Sequence, residues 1–454
     1  MWFRRDLRLA DHPALNAAAE AAAEAGATVV PLFLVDPHLW RPAGAARRRH
    51  LVSSLRSLDA AMEQSLVWRW GEPVEAVVAL VRETGATSVH ISADHAPYGA
   101  ARDEAVERAL AEIGVELVRT GSPYAVAPGR VVKGDGTPYR VYTPFYRAWL
   151  SHGWRAPATS AKEITWATNI PSDPMPVIEQ IGTTASLDHL PPAGEAAALA
   201  RWHHFRESAL ASYAEDRNRP DLEGSSRLSV HLKYGEIHPR TLLADLGDSK
   251  DHEVFRKELA WREFYADVLH HAPETAREYL RPEFEQMDYD SGPDADAQLL
   301  SWQQGQTGYP IVDAGMRQLL HEGWMHNRVR MIVASFLVKD LHLEWQVGAR
   351  WFMRHLVDGD IASNSHGWQW TAGCGTDASP YFRIFNPITQ GLRFDPDGDY
   401  VRRYVPELRH LAGPAAHQPW EVADGYGSGY PERIVDHGVE RSESLARYAL
   451  IKRT

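Results

Sequence analysis

Apolar residues in the first 125 positions fall in short continuous runs, separated by longer stretches with three- and four-residue spacing. Residues 28–35 (TVVPLFLV), 88–92 (SVHIS) and 115–119 (VELVR) read as buried strands, since short runs rich in β-branched residues fit a sheet interior. Between them 47–65, 73–83 and 99–113 carry the helical period. The Ala-rich stretch 17–27, interrupted by Glu20 and Glu24, reads as an amphipathic helix rather than a leader peptide. This alternation predicts an α/β domain with a parallel sheet, whose ligands bind at the carboxyl ends of the strands. The chain opens at Met1-Trp2-Phe3 directly into Arg4-Arg5-Asp6, which leaves almost no room for a strand before that loop.

From about 126 to 195 the chain is rich in Pro, Gly, Thr and Ser, with PSDPMP at 171–176, and predicts a long connector with little core of its own. From about 196 to 454 the pattern becomes helical throughout, which predicts an all-α domain. No repeat and no low-complexity tail interrupts this plan.

Composition changes the picture in three places. A chain of 454 residues suits two or three domains, and 44% hydrophobic with 24% charged residues is the balance of a soluble globular protein. No run of eighteen apolar residues is present to span a membrane. The one cysteine, Cys374, excludes an internal disulfide and suits the cytoplasm. A net charge of −12 means that any nucleic-acid partner must meet a local basic patch. Nine of the 16 tryptophans lie beyond residue 196, so chemistry is to be sought there.

Four segments concentrate it. In FRKELAWREFY (255–265), Glu258, Trp261, Arg262 and Tyr265 share one helix face. Such a face suits a pocket wall where a ring stacks and a polar edge is hydrogen-bonded; it also suits a half-exposed helix with a local Glu258–Arg262 pair. In GWMHNRVRM (323–331), Trp324, Asn327, Arg328 and Met331 share a face that fits a planar heterocycle or a core stripe with a polar rim. In DGDIASNSHGWQW (358–370), Asp358 and Asp360 precede Asn364, Trp368 and Trp370. The DxD pair lacks further ligands at metal spacing, so no metal is expected, and these carboxylates instead suit a ring imide or Arg330. Gly224, Ser225 and Ser226, ahead of a helical pattern, form either a phosphate cradle or a plain cap. With no nucleophile–base pair in view, this set suits an organic cofactor that carries the chemistry itself.

WFRRDLRLADHPAL, EGSSRLS, ELAWREFY, TGYPIVDAGMRQL, WMHNRVRM, DGDIASN, GWQW and GTDASPYFRIFNP resemble, in order and spacing, the photolyase/cryptochrome family. The resemblance covers nearly the whole chain and is nearest the class I cyclobutane pyrimidine dimer photolyases. It implies a Rossmann-like antenna domain over 1–125, a linker over 126–195 and a helical FAD-binding catalytic domain over 196–454. It places Tyr213, Ser225, Ser226, Leu228 and Ser229 along the FAD phosphates and ribityl chain. Arg330, Asp358 and Asp360 flank the isoalloxazine, and Asn364 faces its N5. Glu258, Trp261, Asn327, Met331 and Trp370 match the pocket for a flipped-out dimer. Enzymes for the (6-4) photoproduct carry His where Asn327 stands, and a cryptochrome would be a photoreceptor with a protein partner.

The implied activity is that of a deoxyribodipyrimidine photo-lyase, a carbon–carbon lyase in which reduced FAD lends an electron to the lesion under blue light. Arg217, Arg328 and Arg383 match the family's basic rim for UV-damaged DNA, single- or double-stranded. Trp368 and Trp345 match the first two members of its electron relay; the third position holds no Trp, and Tyr289 is the nearest aromatic. Asp36, Asp94 and Lys233 resemble a deazaflavin antenna site rather than a folate one. The family's customary first strand before WFRRDLR is nearly absent, which implies a weakened antenna domain. Nothing in the chain demands more than a monomer.

Overall fold

The computed structural model describes residues 1–161, 163–178, 181, 189–377 and 382–451. Parts of the predicted connector (162, 179–180 and 182–188) and 378–381 of GTDASPYFRIFNP lie outside the described residues.

The N-terminal part is built on short parallel strands. β1 (Trp2–Phe3), β2 (Leu32–Val35) and β3 (Val67–Trp70) pair in that order, with Trp2 opposite Leu32 and Leu32 opposite Val67. β4 (Ser88–Ile91) and β5 (Glu116–Arg119) form a second parallel pair, and β4 packs beside β1. The helices of this part are α1 (Pro13–Glu24), α2 (Pro37–Trp40), α3 (Ala45–Ala61), α4 (Pro73–Thr84) and α5 (Pro97–Ala111). Two expectations change. The first strand exists after all: two residues suffice because Trp2 and Phe3 are fully buried and the Met1 amine donates to the Val30 carbonyl at 2.9 Å. Nothing in the apolar pattern marks β3, because it is an edge strand whose Arg69 and Trp70 turn toward solvent.

The connector is also not coreless. It contains α6 (Tyr142–His152), where Tyr142, Phe145, Tyr146 and Trp149 recur at helical spacing and bury against Trp202, Phe205 and Phe264. Farther on, Trp166 bridges to Val29, and the Asp173 carboxylate accepts from the Trp70 N–H at 2.8 Å, so this segment borders the sheet.

The remainder is helical: α7 (Glu195–Ser208), α8 (Tyr213–Asp216), α9 (Ser229–Tyr234), α10 (Pro239–Ala244), α11 (Lys250–His271), α12 (Pro293–Gln304) and α13 (Pro310–Glu322). α14 (Asn327–Lys339), α15 (Trp345–His355) and α16 (Ile361–Ala372) follow and pack on one another, and α11 lies across α16. α17 (Pro387–Phe394), α18 (Asp399–Tyr404) and α19 (His437–Ile451) close the chain. Cys374, just past α16, is fully buried in this core. Among the described residues no helix is long and apolar enough to cross a membrane.

The two parts share one apolar cluster, in which Phe3, Phe33 and Trp68 meet Val230, Tyr234, Trp324 and Val357. α9 therefore rests on the sheet domain, and the site lies close to that junction.

Candidate active site

α11 carries Glu258 and Trp261 one turn apart on one face. Trp261 is stacked on Tyr142 with ring centroids 3.7 Å apart and planes at 7°. The Tyr142 hydroxyl donates to the Lys257 carbonyl at 2.8 Å, so α6 backs this indole with a second fixed ring. Sequence reasoning missed Tyr142 because it lies in the predicted connector. Glu258 does not pair with Arg262, which donates instead to the carbonyls of Pro123 and Leu232. Its partner is Arg217, at 2.7 Å, with both side chains about a quarter exposed. Burial raises the Glu258 pKa, and Arg217 only partly opposes the rise.

α14 supplies both sides of the site from one helix. His326 caps it, its Nδ1 accepting from the Arg328 N–H at 3.2 Å, and Asn327 follows with an exposed amide. Met331, one turn on, is half-buried on the same face. Arg328 donates to the Asn218 side-chain oxygen at 2.8 Å and lies over Phe394, centroid 4.6 Å. Arg393, exposed, covers the same ring at 5.1 Å and is a cation that no motif reading singled out. Arg383 stands apart: it lines a groove with Phe382, Phe385, Arg441 and Leu445, and with Trp370 and Lys339 it borders a small adjoining cavity.

The residues expected to face a ring cofactor come next. Arg330 donates to the Met325 carbonyl at 2.8 Å and to Asp358 at 2.8 Å. The other Asp358 oxygen is buried without a partner. Asp360 caps α16, accepting from the Ser363 N–H at 3.1 Å, and pairs with Arg5 at 2.7 Å. Burial would raise the Asp360 pKa, but Arg5, Lys233 and Arg262 drive it far below the usual carboxylate range. The Asn364 amide donates to the Ala349 carbonyl at 3.1 Å.

In the hydroxyl-rich turn, Arg227 holds a left-handed φ of +53° between Ser226 and Leu228. Such strain in a non-glycine residue gathers at functional sites. Arg201 ties down the Ser225 and Ser226 carbonyls at 2.9 and 2.7 Å, and the Ser226 hydroxyl accepts from the Leu228 N–H at 3.3 Å, the cap alternative for this turn, with Ser225 half-buried beside it. The Ser229 hydroxyl accepts from the Trp324 Nε1 at 3.4 Å. Tyr213 is buried beside them, with Arg217 5.9 Å from its ring.

Trp368 packs edge-on to Phe352 at 5.0 Å, and a Cβ at Gly348 would fall 2.1 Å from its ring. Gly348 thus lets α15 and α16 close over this indole, with Trp345 one turn earlier on α15. Trp345 meets Tyr279 at 6.1 Å, and Tyr279 stacks with Tyr289 at 6.5 Å. Tyr279 is the bridging ring that sequence reasoning missed.

On the sheet domain, Asp36 follows β2 and Asp94 follows β4, both at carboxyl ends. The Tyr98 hydroxyl donates to Asp36 at 2.5 Å, and Arg102 reaches Asp94 at 3.5 Å, so the two carboxylates share a rim. Gly99 is required there, since a Cβ would fall 2.1 Å from Asp94. Burial brings Lys233 down to about 7, with Arg5 adding to the fall. Among the described residues, His50, His231 and Glu236 also come together, their ligand atoms within 4.8 Å, although 186 residues separate His50 from Glu236. They are already hydrogen-bonded to one another, at 3.2 and 2.5 Å, and clasp α3 to α9.

The donor set fits a flavin. An orphaned carboxylate oxygen at Asp358, a guanidinium beside it and a fixed carboxylate at Asp360 suit an imide edge, and the serine turn suits phosphates.

Residues 1–163 match the DNA photolyase family model, and residues 255–450 match the model described as the FAD binding domain of DNA photolyase. A curated relative, the deoxyribodipyrimidine photo-lyase of Agrobacterium fabrum, is 40% identical over 100% of this chain and 98% of its own length. Similar solved structures include a class III photolyase from Agrobacterium tumefaciens, with TM-score 0.91, 40% identity and coverage of 100% of this chain and 97% of that one. Another is the Sulfolobus tokodaii photolyase with two FAD molecules, with TM-score 0.86, 28% identity and 99% coverage of each chain.

Proposed function

The chain belongs to the photolyase/cryptochrome family as an enzyme of the photolyase type, and from that premise we propose that it repairs cyclobutane pyrimidine dimers in DNA under blue light. The observation that carries this reading is Glu258: a half-buried carboxyl with a raised pKa, one turn from a stacked indole and paired with an arginine suited to DNA phosphate.

The chemistry that FAD supplies when bound is one light-excited electron, lent to the dimer and taken back after the ring splits. Tyr213, Ser225, Ser226, Leu228 and Ser229 would hold its phosphates and ribityl chain, and Arg330, Asp358, Asp360 and Asn364 would hold its ring. Arg217 and Arg328, joined by Arg393, bind phosphates around the lesion and form the local basic patch that the net charge demands, while Arg383 meets the strand separately on the Trp370 side. The dimer is extruded from the stack into the pocket, as damaged bases are by enzymes of this kind. When Arg217 turns to a phosphate, Glu258 loses the cation that lowers its pKa. Burial then favours its neutral form further, against the remaining pull of Arg328, and the carboxyl is placed to hydrogen-bond the pyrimidine carbonyl edge. Trp261, backed by Tyr142, and Trp370 pack against the dimer; stacking of this type is worth about 1–3 kcal/mol per base. Asn327 and Met331 complete the pocket. Electrons would enter at Tyr289, the outermost ring, and pass by way of Tyr279 to the buried Trp345 and Trp368. Asp36, Asp94 and Lys233 would hold an antenna chromophore of deazaflavin type; the second FAD of the Sulfolobus tokodaii enzyme, described as a novel light-harvesting cofactor, gives the competing ligand to assay.

The test is blue-light repair of an oligonucleotide with one cyclobutane thymine dimer, using reduced holoprotein, a dark control and a matched (6-4) oligonucleotide. Recovery of intact thymines from the dimer alone supports the reading. Repair of the (6-4) substrate alone, or of neither, overturns it, the latter in favour of a photoreceptor.

A further inference from the structure

Arg4 and Arg5 are adjacent, yet they serve different parts of the molecule. Arg4 turns into the sheet domain, to Asp103 and the Ser92 carbonyl. Arg5 crosses into the helical domain and meets Asp360, 355 residues away, at 2.7 Å. The backbone at this crossing is clamped. A Cβ at Gly235, the left-handed residue ending α9, would fall 1.9 Å from the Arg5 carbonyl oxygen, and the Leu7 N–H donates to the Tyr234 carbonyl at 3.1 Å. The Arg5 Nε is buried without a partner, and the rest of the guanidinium is held by Asp360 and the Tyr124 side chain, with the Asp94 charge nearby. Asp360 in turn spends one oxygen on the cap of α16 and the other on Arg5.

We infer that Arg5 is a positioning residue for the flavin: from the first loop of the sheet domain it fixes Asp360 and neutralises its charge beside the ring. This rests on the placement of FAD next to Asp360 given above. Without Arg5, the wall beside the ring loses its nearest positive charge, and reduced flavin, itself negative, is less favoured there. Lys233 and Arg262 also act on Asp360, but Arg5 has the largest effect of the three cations, and Lys233, brought down to about 7 by burial, carries only part of a charge near neutral pH.

The test uses FAD-loaded protein in the dark without DNA, so it reads separately from repair. Arg5→Gln lowers the midpoint potential of bound FAD and speeds FAD dissociation about tenfold, the loss expected for one charge-assisted contact. Asp360→Asn raises the potential, and the double variant R5Q/D360N returns toward the parent value, as opposed charges in one cycle require. Arg5→Lys keeps the charge and the parent potential, and remains informative if the Gln variant folds poorly. An unchanged potential in R5Q, a double variant as shifted as R5Q, or an R5K shift in potential overturns the inference. Dimer repair by the parent protein with no effect at Arg5 would sink this inference alone; the predicted shifts in a protein that repairs no dimer would sink only the proposed function.

Discussion

Arg330–Asp358 and Arg217–Glu258 are both single N–H···O contacts, at 2.8 and 2.7 Å, but they sit in different surroundings. The Asp358 side chain is 2% exposed and its arginine has a second anchor on a carbonyl, whereas Glu258 and Arg217 are each 26% exposed. A pair of the first kind is costly to break, because a charge is stranded in the interior. A pair of the second kind is worth little and is easily exchanged. The same chemistry therefore makes a fixed frame on the cofactor side and a replaceable contact on the lesion side, and α14 carries residues of both.

Breaking the fixed side gives the largest effect. Asp358→Ala is expected to destabilise the FAD-free protein by about 3 kcal/mol in urea unfolding, the low end for a buried pair because Arg330 keeps some solvent. Glu258→Gln, on the exchangeable side, leaves that stability within about 0.5 kcal/mol. It lowers repair yield and weakens dimer binding roughly tenfold, read by titration of dimer and undamaged oligonucleotides. His326 joins the two sides as the cap of α14, and burial, with Arg328 and Arg330, holds it down to about 3. A folded pKa below the ordinary 6.5 means that the unfolded chain takes the proton first. Its contribution is present above pH 6.5 and fades as pH falls toward 3, by about 1 kcal/mol between 6.5 and 5.5. His326→Asn, which keeps a capping oxygen, should flatten that part of the stability–pH curve. The smallest effect belongs to Arg328→Ala, which weakens damaged and undamaged DNA alike and reduces the salt slope by about 1.

Much of this was readable in the chain, and the misses share a cause. The faces of α11 and α14 follow from residue spacing, and the ordered motifs identify the family. Spacing could not reveal partners contributed from far along the chain. Glu258 looked like the partner of Arg262 and is held by Arg217. Asp360 looked open to Arg330 and is held by Arg5. Tyr142 was hidden by flanking Pro and Gly residues, which signal a connector even when aromatic residues inside it keep a helical period. Val67–Trp70 was hidden because only its first two residues are buried, one on each face, while Arg69 and Trp70 turn toward solvent at the sheet edge. The His50–Glu236–His231 clasp has no local signature, since it exists only after α3 and α9 meet.

Cys374 gives the molecule a built-in clock. It is the single thiol in 454 residues. It is fully enclosed, and burial pushes its pKa far above the ordinary range, so the native protein offers almost no thiolate. An alkylating reagent therefore marks each molecule once, and only when the helical core opens. The rate of that single mass increment then counts core-opening events under native conditions, with or without a ligand that holds the core shut.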